Sequence, residues 1–166
     1  QAVFYARVNY PFDLVEIDTT PANVHLRGQD GNWIGRPTVS VAVDAATGAV
    51  LGLRFSLDAP REILTVQTLK DVMSPRDDDF FDRHGIENRI QMNGVPQILS
   101  CDQGSENSGE WLPGIIAYSG MELGKNCPGC PDKKPFVERF NGELSRFFET
   151  LPGSTNSPTM TNKTRT

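Results

Sequence analysis

A stretch near the end of the chain, from Lys133 to Gly153, places its apolar residues at three- and four-residue steps. At 100° per residue these positions form one stripe of an amphipathic helix, which has to be buried against another layer of structure. Pro152-Gly153 predicts where this helix ends. The stripe comprises Val137, Phe140, Leu144, Phe147, Phe148 and Leu151. Glu138 lies beside it, on a flank where a carboxylate can be half buried.

The patterns upstream of this helix predict a sheet. Leu14 to Thr20 is a short apolar run, which favours a central strand. Residues 38 to 57 alternate apolar and polar side chains on both sides of Thr47-Gly48, so they predict a hairpin. Pro96 to Cys101 predicts a fourth strand, and Met121 to Gly124 a short fifth one.

Helices and turns are predicted between these strands. Ala59 to Glu62 opens a helix whose apolar residues continue to Val72, and Trp111 to Tyr118 predicts a second, shorter helix. Asp30-Gly31 is a hairpin signal. Residues 74 to 93 are polar and stay unassigned; they include three consecutive aspartates, which are usually only solvated in such a loop.

Composition bounds the class of protein. A chain of 166 residues is one domain with room for a core, and no apolar run approaches the roughly 18–20 residues that a membrane span needs. Its three cysteines cannot all pair, so we expect a reduced, cytoplasmic setting. The net charge of −5 is the main argument against a nucleic-acid partner, because phosphate binding usually goes with a basic surplus.

Three carboxylates stand where a metal site could form. Asp18 ends the first apolar run, Asp102 follows the fourth predicted strand, and 35 residues separate Asp102 from Glu138. Hard oxygen ligands suit magnesium or manganese, and two such ions about 3.5–4 Å apart can activate a water or hydroxyl in phosphodiester chemistry. Each carboxylate also has an ordinary interpretation, since aspartates are common in turns and a helical glutamate is often a surface residue.

The sequence at this point resembles the D,D-35-E transposase and retroviral integrase superfamily, and more closely the catalytic cores of bacterial transposases of the phage Mu type. Short blocks carry the resemblance, in the family's order, over most of the chain. They are Ile17-Asp18-Thr19-Thr20, Ile34-Gly35-Arg36-Pro37 leading into Val41-Ala42-Val43-Asp44, Gly94-Val95-Pro96, Asp102-Gln103-Gly104-Ser105-Glu106, Lys134-Pro135-Phe136-Val137-Glu138-Arg139-Phe140 and Leu151-Pro152-Gly153. Gln103 departs from the asparagine usual in the family.

This resemblance implies a ribonuclease-H-like α/β fold. The expected sheet has five strands, three antiparallel and then two parallel, flanked by helices. The catalytic core would span residues 13–153, with a linker at 1–12 and a disordered tail or linker at 154–166.

The resemblance also implies an activity, the metal-dependent cleavage of DNA 3′ ends followed by strand transfer. Asp18, Asp102 and Glu138 would be the catalytic residues and the ligands of two Mg²⁺ or Mn²⁺ ions. The implied partners are transposon ends and target DNA, with a homo-oligomer in the full-length protein and no membrane. A bacterial, nucleoid-associated location in the cytoplasm follows from the same likeness.

Several further residues have more than one interpretation. Lys133, Lys134, Arg139 and Arg146 are predicted to contact DNA phosphates, although long basic side chains on a helix often only solvate it. Glu106 matches an acidic position of the family and would either assist the metal site or cap a helix. Glu16 is a weaker rival for a metal ligand, Asp44 is expected in a turn, and Arg36 matches a motif whose role the sequence does not give.

Two alternatives to a transposase stay open. One is a nuclease of the same fold, but such relatives typically carry a fourth carboxylate and lack the 35-residue spacing. The other is a non-catalytic DNA-binding or assembly module, which Gln103 and the Cys127-Pro128-Gly129-Cys130 insertion would suit. The cysteine pair has the spacing of half a zinc site only, so a structural zinc is disfavoured.

Overall fold

The computed structural model describes residues 8–58, 61–101, 111–124 and 134–155, with the backbone alone at residue 61. In order along the chain, these ranges form seven strands and four helices. The strands are β1 (Leu14–Pro21), β2 (Leu26–Arg27), β3 (Trp33–Gly35), β4 (Thr38–Asp44), β5 (Val50–Ser56), β6 (Ile98–Ser100) and β7 (Glu122–Leu123). The helices are α1 (Arg61–Met73), α2 (Asp78–Arg83), α3 (Trp111–Ser119) and α4 (Pro135–Glu149).

Five of the strands form one sheet in the order β5-β4-β1-β6-β7. The pairs β5/β4 and β4/β1 are antiparallel, and the pairs β1/β6 and β6/β7 are parallel. This is the mixed sheet of three antiparallel and two parallel strands predicted from the sequence. Strand β1 lies at its centre, at the junction between the antiparallel and the parallel part.

Helices α1 and α3 cover one face of the sheet, called here the α1 face. Because side chains alternate along a strand, Val15 and Ile17 of β1 both point to this side. The buried cluster comprises Val15, Ile17, Ala42, Leu51, Leu69, Val72, Leu99, Cys101, Leu112 and Met121. A Cβ at Gly52 would lie 3.0 Å from the carbonyl oxygen of Thr68. Glycine at this position therefore lets β5 approach α1 closely.

Helix α4 covers the opposite face, called the α4 face. Val137 packs against Val41 and Val43, and Phe148 lies in a second cluster with Val39. The chain turns at Gly153, whose φ is +96° and whose added Cβ would meet the carbonyl oxygen of His25 at 2.6 Å. The amphipathic helix and its end at Pro152-Gly153 are thus confirmed to within a few residues.

A two-stranded hairpin, β2 and β3, is inserted between β1 and β4. Gly31 in its turn has a φ of +80°, as the Asp30-Gly31 signal predicts. The Arg36 side chain donates hydrogen bonds to the carbonyl oxygen of Ala22 and to Oδ1 of Asn23. Arg36 therefore fixes the base of the hairpin against the end of β1, a role that the sequence motif alone did not give.

Two stretches depart from the expectations. Residues 78–83 form the short helix α2, and Asp77 caps it by accepting a hydrogen bond of 2.8 Å from the backbone N–H of Phe80. The run of aspartates thus begins a helix. Ser154 is fully buried and bridges to Val24, so order continues past residue 153. The remainder of the predicted division into linker, core and tail stays a prediction.

Among the described residues, no helix is both long and apolar enough to cross a membrane.

Candidate active site

Asp18 lies on the α4 face of β1, where it pairs with Val41 of β4. Its side chain is 20% exposed and is held from two directions. The ammonium of Lys134 lies 3.5 Å from Oδ1, and Nδ2 of Asn141 donates a hydrogen bond of 2.7 Å to Oδ2. Lys134 directly precedes α4 and Asn141 is part of it, so α4 fixes the position of the Asp18 carboxylate.

Glu16 is two residues earlier on the same face and is fully buried. Its Oε2 accepts hydrogen bonds of 3.1 Å and 3.0 Å from the backbone N–H groups of Phe136 and Val137. These belong to the first turn of α4, whose N–H groups have no partners within the helix and whose dipole favours a negative charge. Glu16 therefore stabilises the start of α4, which is a better account of this carboxylate than the weaker interpretation as a rival metal ligand.

Lys134 is almost fully buried, with a side chain only 6% exposed. Its ammonium donates a hydrogen bond of 3.0 Å to the carbonyl oxygen of Ile17, in addition to its ion pair with Asp18. A buried ammonium requires such partners because its desolvation is costly. Contact between Lys134 and a DNA phosphate stays a prediction, and the described contacts give this residue a role inside the site.

Glu138 is exposed on α4, so it is not the half-buried carboxylate that this flank allows. Its backbone N–H bonds the carbonyl oxygen of Lys134 at 2.9 Å, which places it one turn after that residue. Within the described ranges, no three histidine, cysteine, aspartate or glutamate side chains group closely enough to hold a metal ion.

Gln103 and five other residues singled out in the sequence lie outside the described ranges. The five are Asp102, Glu106, Lys133, Cys127 and Cys130. The last residue described before Asp102 is Cys101, which is buried in the cluster on the α1 face. Its neighbour Ser100 pairs with Glu16 across the parallel ladder.

A family model described as the TnsB C-terminal domain matches residues 16–153. The chain belongs to this family. The match covers β1 with Asp18 and α4 with Glu138, and so includes both described carboxylates of the proposed triad.

A curated relative of this TnsB C-terminal domain is the transposase for transposon Tn552 of Staphylococcus aureus. The two are 26% identical over 152 residues, which are 89% of this chain and 29% of the relative. The chain therefore spans less than a third of the length of the curated relative that it matches.

Solved structures similar to this TnsB C-terminal domain include retroviral integrases. The HTLV-2 integrase catalytic core in complex with magnesium has a TM-score of 0.52 at 16% identity, covering 88% of this chain and 81% of that one. The simian T-cell lymphotropic virus intasome has a TM-score of 0.56 at 15% sequence identity, and the match covers 88% of this chain and 45% of that one. At these identities the likeness concerns the fold, and the predicted ribonuclease-H-like, integrase-type core is confirmed.

Asn141 is a site residue that the sequence interpretation missed. Its Oδ1 is buried and has no hydrogen-bond partner among the described residues, while its Nδ2 bonds Asp18. Rotating the amide would turn Oδ1 toward the carboxylate, so the contact itself fixes the orientation. Asparagine is a poor helix former, and its position inside α4, three residues after Glu138, was the available signal.

The donor set around Asp18 suits a hard divalent cation. It offers the Asp18 carboxylate and the unpaired Oδ1 of Asn141, with Glu138 on the same helix. Carboxylate and amide oxygens are the ligands that Mg²⁺ and Mn²⁺ prefer. In their ligand type these residues thus fit such an ion, provided that Lys134 gives up its contact with Asp18, although no three acidic, histidine or cysteine ligands are grouped within the described ranges.

The other predicted phosphate contacts, Arg139 and Arg146, are exposed on α4. Arg139 lies 3.5 Å from Glu143 and lines a groove of about 400 Å³ between α4 and the turn after β4. Arg146 lies in the last turn of the helix, where a cation complements the dipole. Both guanidinium groups are accessible to a phosphate, and their contact with DNA stays a prediction.

Proposed function

We propose that this domain is the catalytic core of a DNA transposase or integrase, which cleaves DNA 3′ ends and joins them to a target strand. The observation that carries the proposal is the position of the Asp18 carboxylate at the centre of the sheet. It is held by Lys134, which directly precedes α4, and by Asn141 within α4, the helix that also bears Glu138. Membership of the TnsB C-terminal domain family and similarity to a transposase support it.

The proposed catalytic residues are Asp18, Asp102 and Glu138. Ser100 of β6 pairs with Glu16 of the neighbouring parallel strand β1. In sequence, Asp102 comes two residues after Ser100, and Asp18 comes two residues after Glu16. On this basis we propose that Asp102 completes the site beside Asp18, with Glu138 approaching from α4. Glu106 remains a possible accessory group of the same site.

Two divalent ions, Mg²⁺ or Mn²⁺, would when bound activate the attacking water or 3′ hydroxyl and stabilise the leaving oxygen. Asp18, Asp102 and Glu138 would hold these ions, and Asn141 would offer its buried Oδ1. The residues of the chain contribute by holding the carboxylates in position. Glu16 fixes the beginning of α4, and Asn141 orients Asp18, so carboxylates from a strand and a helix keep a defined geometry.

DNA is the proposed partner despite the net charge of −5. Bound cations would neutralise the carboxylates, and Arg139 and Arg146 on α4 would contact phosphates, as would Lys133. Two DNA ends have to be joined together, so the full-length protein is proposed to act as a homo-oligomer. A nucleoid-associated location in a bacterial cytoplasm goes with this proposal.

A nicking and joining assay with the full-length protein tests the proposal. Supercoiled plasmid and labelled duplexes carrying the ends of the source element are incubated with Mg²⁺ or Mn²⁺. We expect D18N, D102N and E138Q each to lower product formation by about 100-fold or more, because each removes a metal ligand. The matched control is E149Q, which removes an exposed carboxylate from the last turn of the same helix and should leave activity within about twofold.

The products separate the alternatives. Joined strands whose formation depends on all three carboxylates support a transposase or integrase. Cleavage of RNA–DNA hybrids or branched DNA without joining would favour the nuclease of the same fold. Activity equal to that of the wild type in all three variants would show that these carboxylates are not catalytic, and activity absent throughout despite DNA binding would favour the non-catalytic module.

A further inference from the structure

The ion pair between Lys134 and Asp18 raises a question that the proposed mechanism does not answer. Lys134 brings a full positive charge to 3.5 Å from the oxygen that a divalent cation would use. A divalent cation bound to the same oxygen would lie close to this ammonium, and like charges at such separations repel strongly. Either Lys134 moves when a metal ion binds, or it limits how tightly the ion is held.

The contacts of Lys134 and Asp18 indicate that Lys134 is the group that moves when a metal ion binds. Its ammonium keeps a second, shorter contact of 3.0 Å with the carbonyl oxygen of Ile17, so it retains a partner after leaving Asp18. The four-carbon stem allows the ammonium to swing without movement of the backbone. Asp18, in contrast, is also fixed by Asn141 and has little freedom to follow.

We infer that Lys134 is a positioning residue that competes with a divalent cation for Asp18 and moves away when the ion binds. The inference rests on the proposed function, because it concerns the same site. Lys134 balances the charge of a partly buried carboxylate and holds it in its rotamer. Once displaced, its ammonium is available to a phosphate at the site, which is the contact predicted for this residue from the sequence.

Mn²⁺ binding to the full chain tests the inference without any measurement of catalysis. Free Mn²⁺ is followed by electron paramagnetic resonance for the wild type, K134M and K70M. Lys70 is exposed on α1, on the other face of the sheet, and is therefore the matched control. We expect K134M to bind Mn²⁺ about tenfold more tightly than the wild type, because a competing charge near the carboxylate is removed. K70M should bind as the wild type does.

A second variant and a second measurement separate competition from a folding defect. K134Q removes the charge but keeps an N–H donor, and it should also bind Mn²⁺ more tightly. In EDTA, K134M should lower the urea midpoint of unfolding, and D18N added to K134M should restore part of the loss, because the pair is coupled. Additive effects of the two substitutions would overturn the inference.

The outcomes for the inference and for the proposed function are distinct. Wild-type binding that D18N abolishes, with K134M and K134Q equal to or weaker than the wild type, overturns the inference and leaves the metal site standing. Tighter binding by both Lys134 variants, lost again on adding D18N, supports both. No Mn²⁺ binding at millimolar concentration by any variant, with or without duplex DNA, contradicts both.

Discussion

The two faces of the central sheet are built from different chemistry. The α1 face carries ten buried residues in one apolar cluster, whereas the α4 face buries the charged groups of Glu16 and Lys134 among smaller apolar clusters. Strand β1 alternates between the two, with Val15 and Ile17 on one side and Glu16 and Asp18 on the other. One strand thus supplies both the centre of the core and the centre of the candidate site.

The residues that contribute most to stability and the residues of the candidate site therefore lie largely on different faces of the sheet. An apolar cluster stabilises through buried area and close packing, which tolerate no loss of volume. A buried carboxylate or ammonium stabilises little on balance and is costly when its partner is lost. The α1 face should therefore respond to substitutions mainly in stability, and the α4 face in the geometry of the site.

The largest stability effect is expected on the α1 face. Leu99→Ala removes a fully buried side chain from the centre of the large cluster and should lower the free energy of unfolding by about 3 kcal/mol. Urea unfolding followed by circular dichroism measures it. The control Leu53→Ala, at a side chain 40% exposed on β5, should cost less than about 1 kcal/mol. Equal losses in both variants, or a changed Mn²⁺ affinity in folded L99A, would contradict the separation of the two faces.

An intermediate effect is expected from Glu16→Gln on the α4 face. A glutamine can accept a hydrogen bond from α4 but lacks the charge that favours the helix N-terminus, so the loss should be about 1–2 kcal/mol. Hydrogen exchange should rise at Phe136 and Val137 and stay unchanged in α1. The exposed Glu122 of β7 provides the control, Glu122→Gln. Faster exchange in α1 as well would mean that the two faces respond together.

The smallest effect is expected outside both faces, in the β2–β3 hairpin. The backbone N–H and the side-chain amide of Asn32 both donate to Asp30 and lower the pKa of its carboxyl below the usual 3.8. Because the folded pKa is the lower one, ionised Asp30 stabilises the turn above the unfolded pKa, and this contribution is lost as the pH falls through the folded value.

A pH titration of the hairpin by nuclear magnetic resonance measures that loss. The amide signals of Asn32 and the ring signals of Trp33 should shift below pH 3.8. Asp30→Asn should remove this transition. A titration of Asp30 at or above 3.8 would refute the expected direction.

Periodicity was sufficient for most of the fold. The apolar stripe of α4 and the alternation around Thr47-Gly48 predicted a helix and a hairpin that both exist. The extent of β6 was overestimated, because ladder pairing, which ends at Ser100, decides the end of a strand and leaves no local mark in the sequence. Helix α2 was missed because it is only six residues long, lies in a mostly polar stretch and is defined by the cap at Asp77.

The site was predictable only in part. Asp18 was singled out as a candidate because it ends an apolar run and matches a family motif, but the residues that hold it are Asn141 of α4 and Lys134 just before it, more than a hundred residues away. No local pattern reveals that Glu16 caps this helix or that Lys134 is buried, because both depend on how α4 crosses β1. Exposure of Glu138 could not be predicted for the same reason, as a flank position is buried or exposed according to its neighbours.

The contact between Glu16 and α4 also orders events in time. Its hydrogen bonds join residues that are 120 and 121 positions apart. During synthesis the carboxylate leaves the ribosome long before either amide exists, and closing so long a loop is slow compared with forming a local hairpin. Glu16 and Asp18 therefore lack these partners until α4 has been translated. A nascent chain that ends before residue 136 lacks the helix that orients these acidic groups, so the candidate site can form only after α4 has been translated.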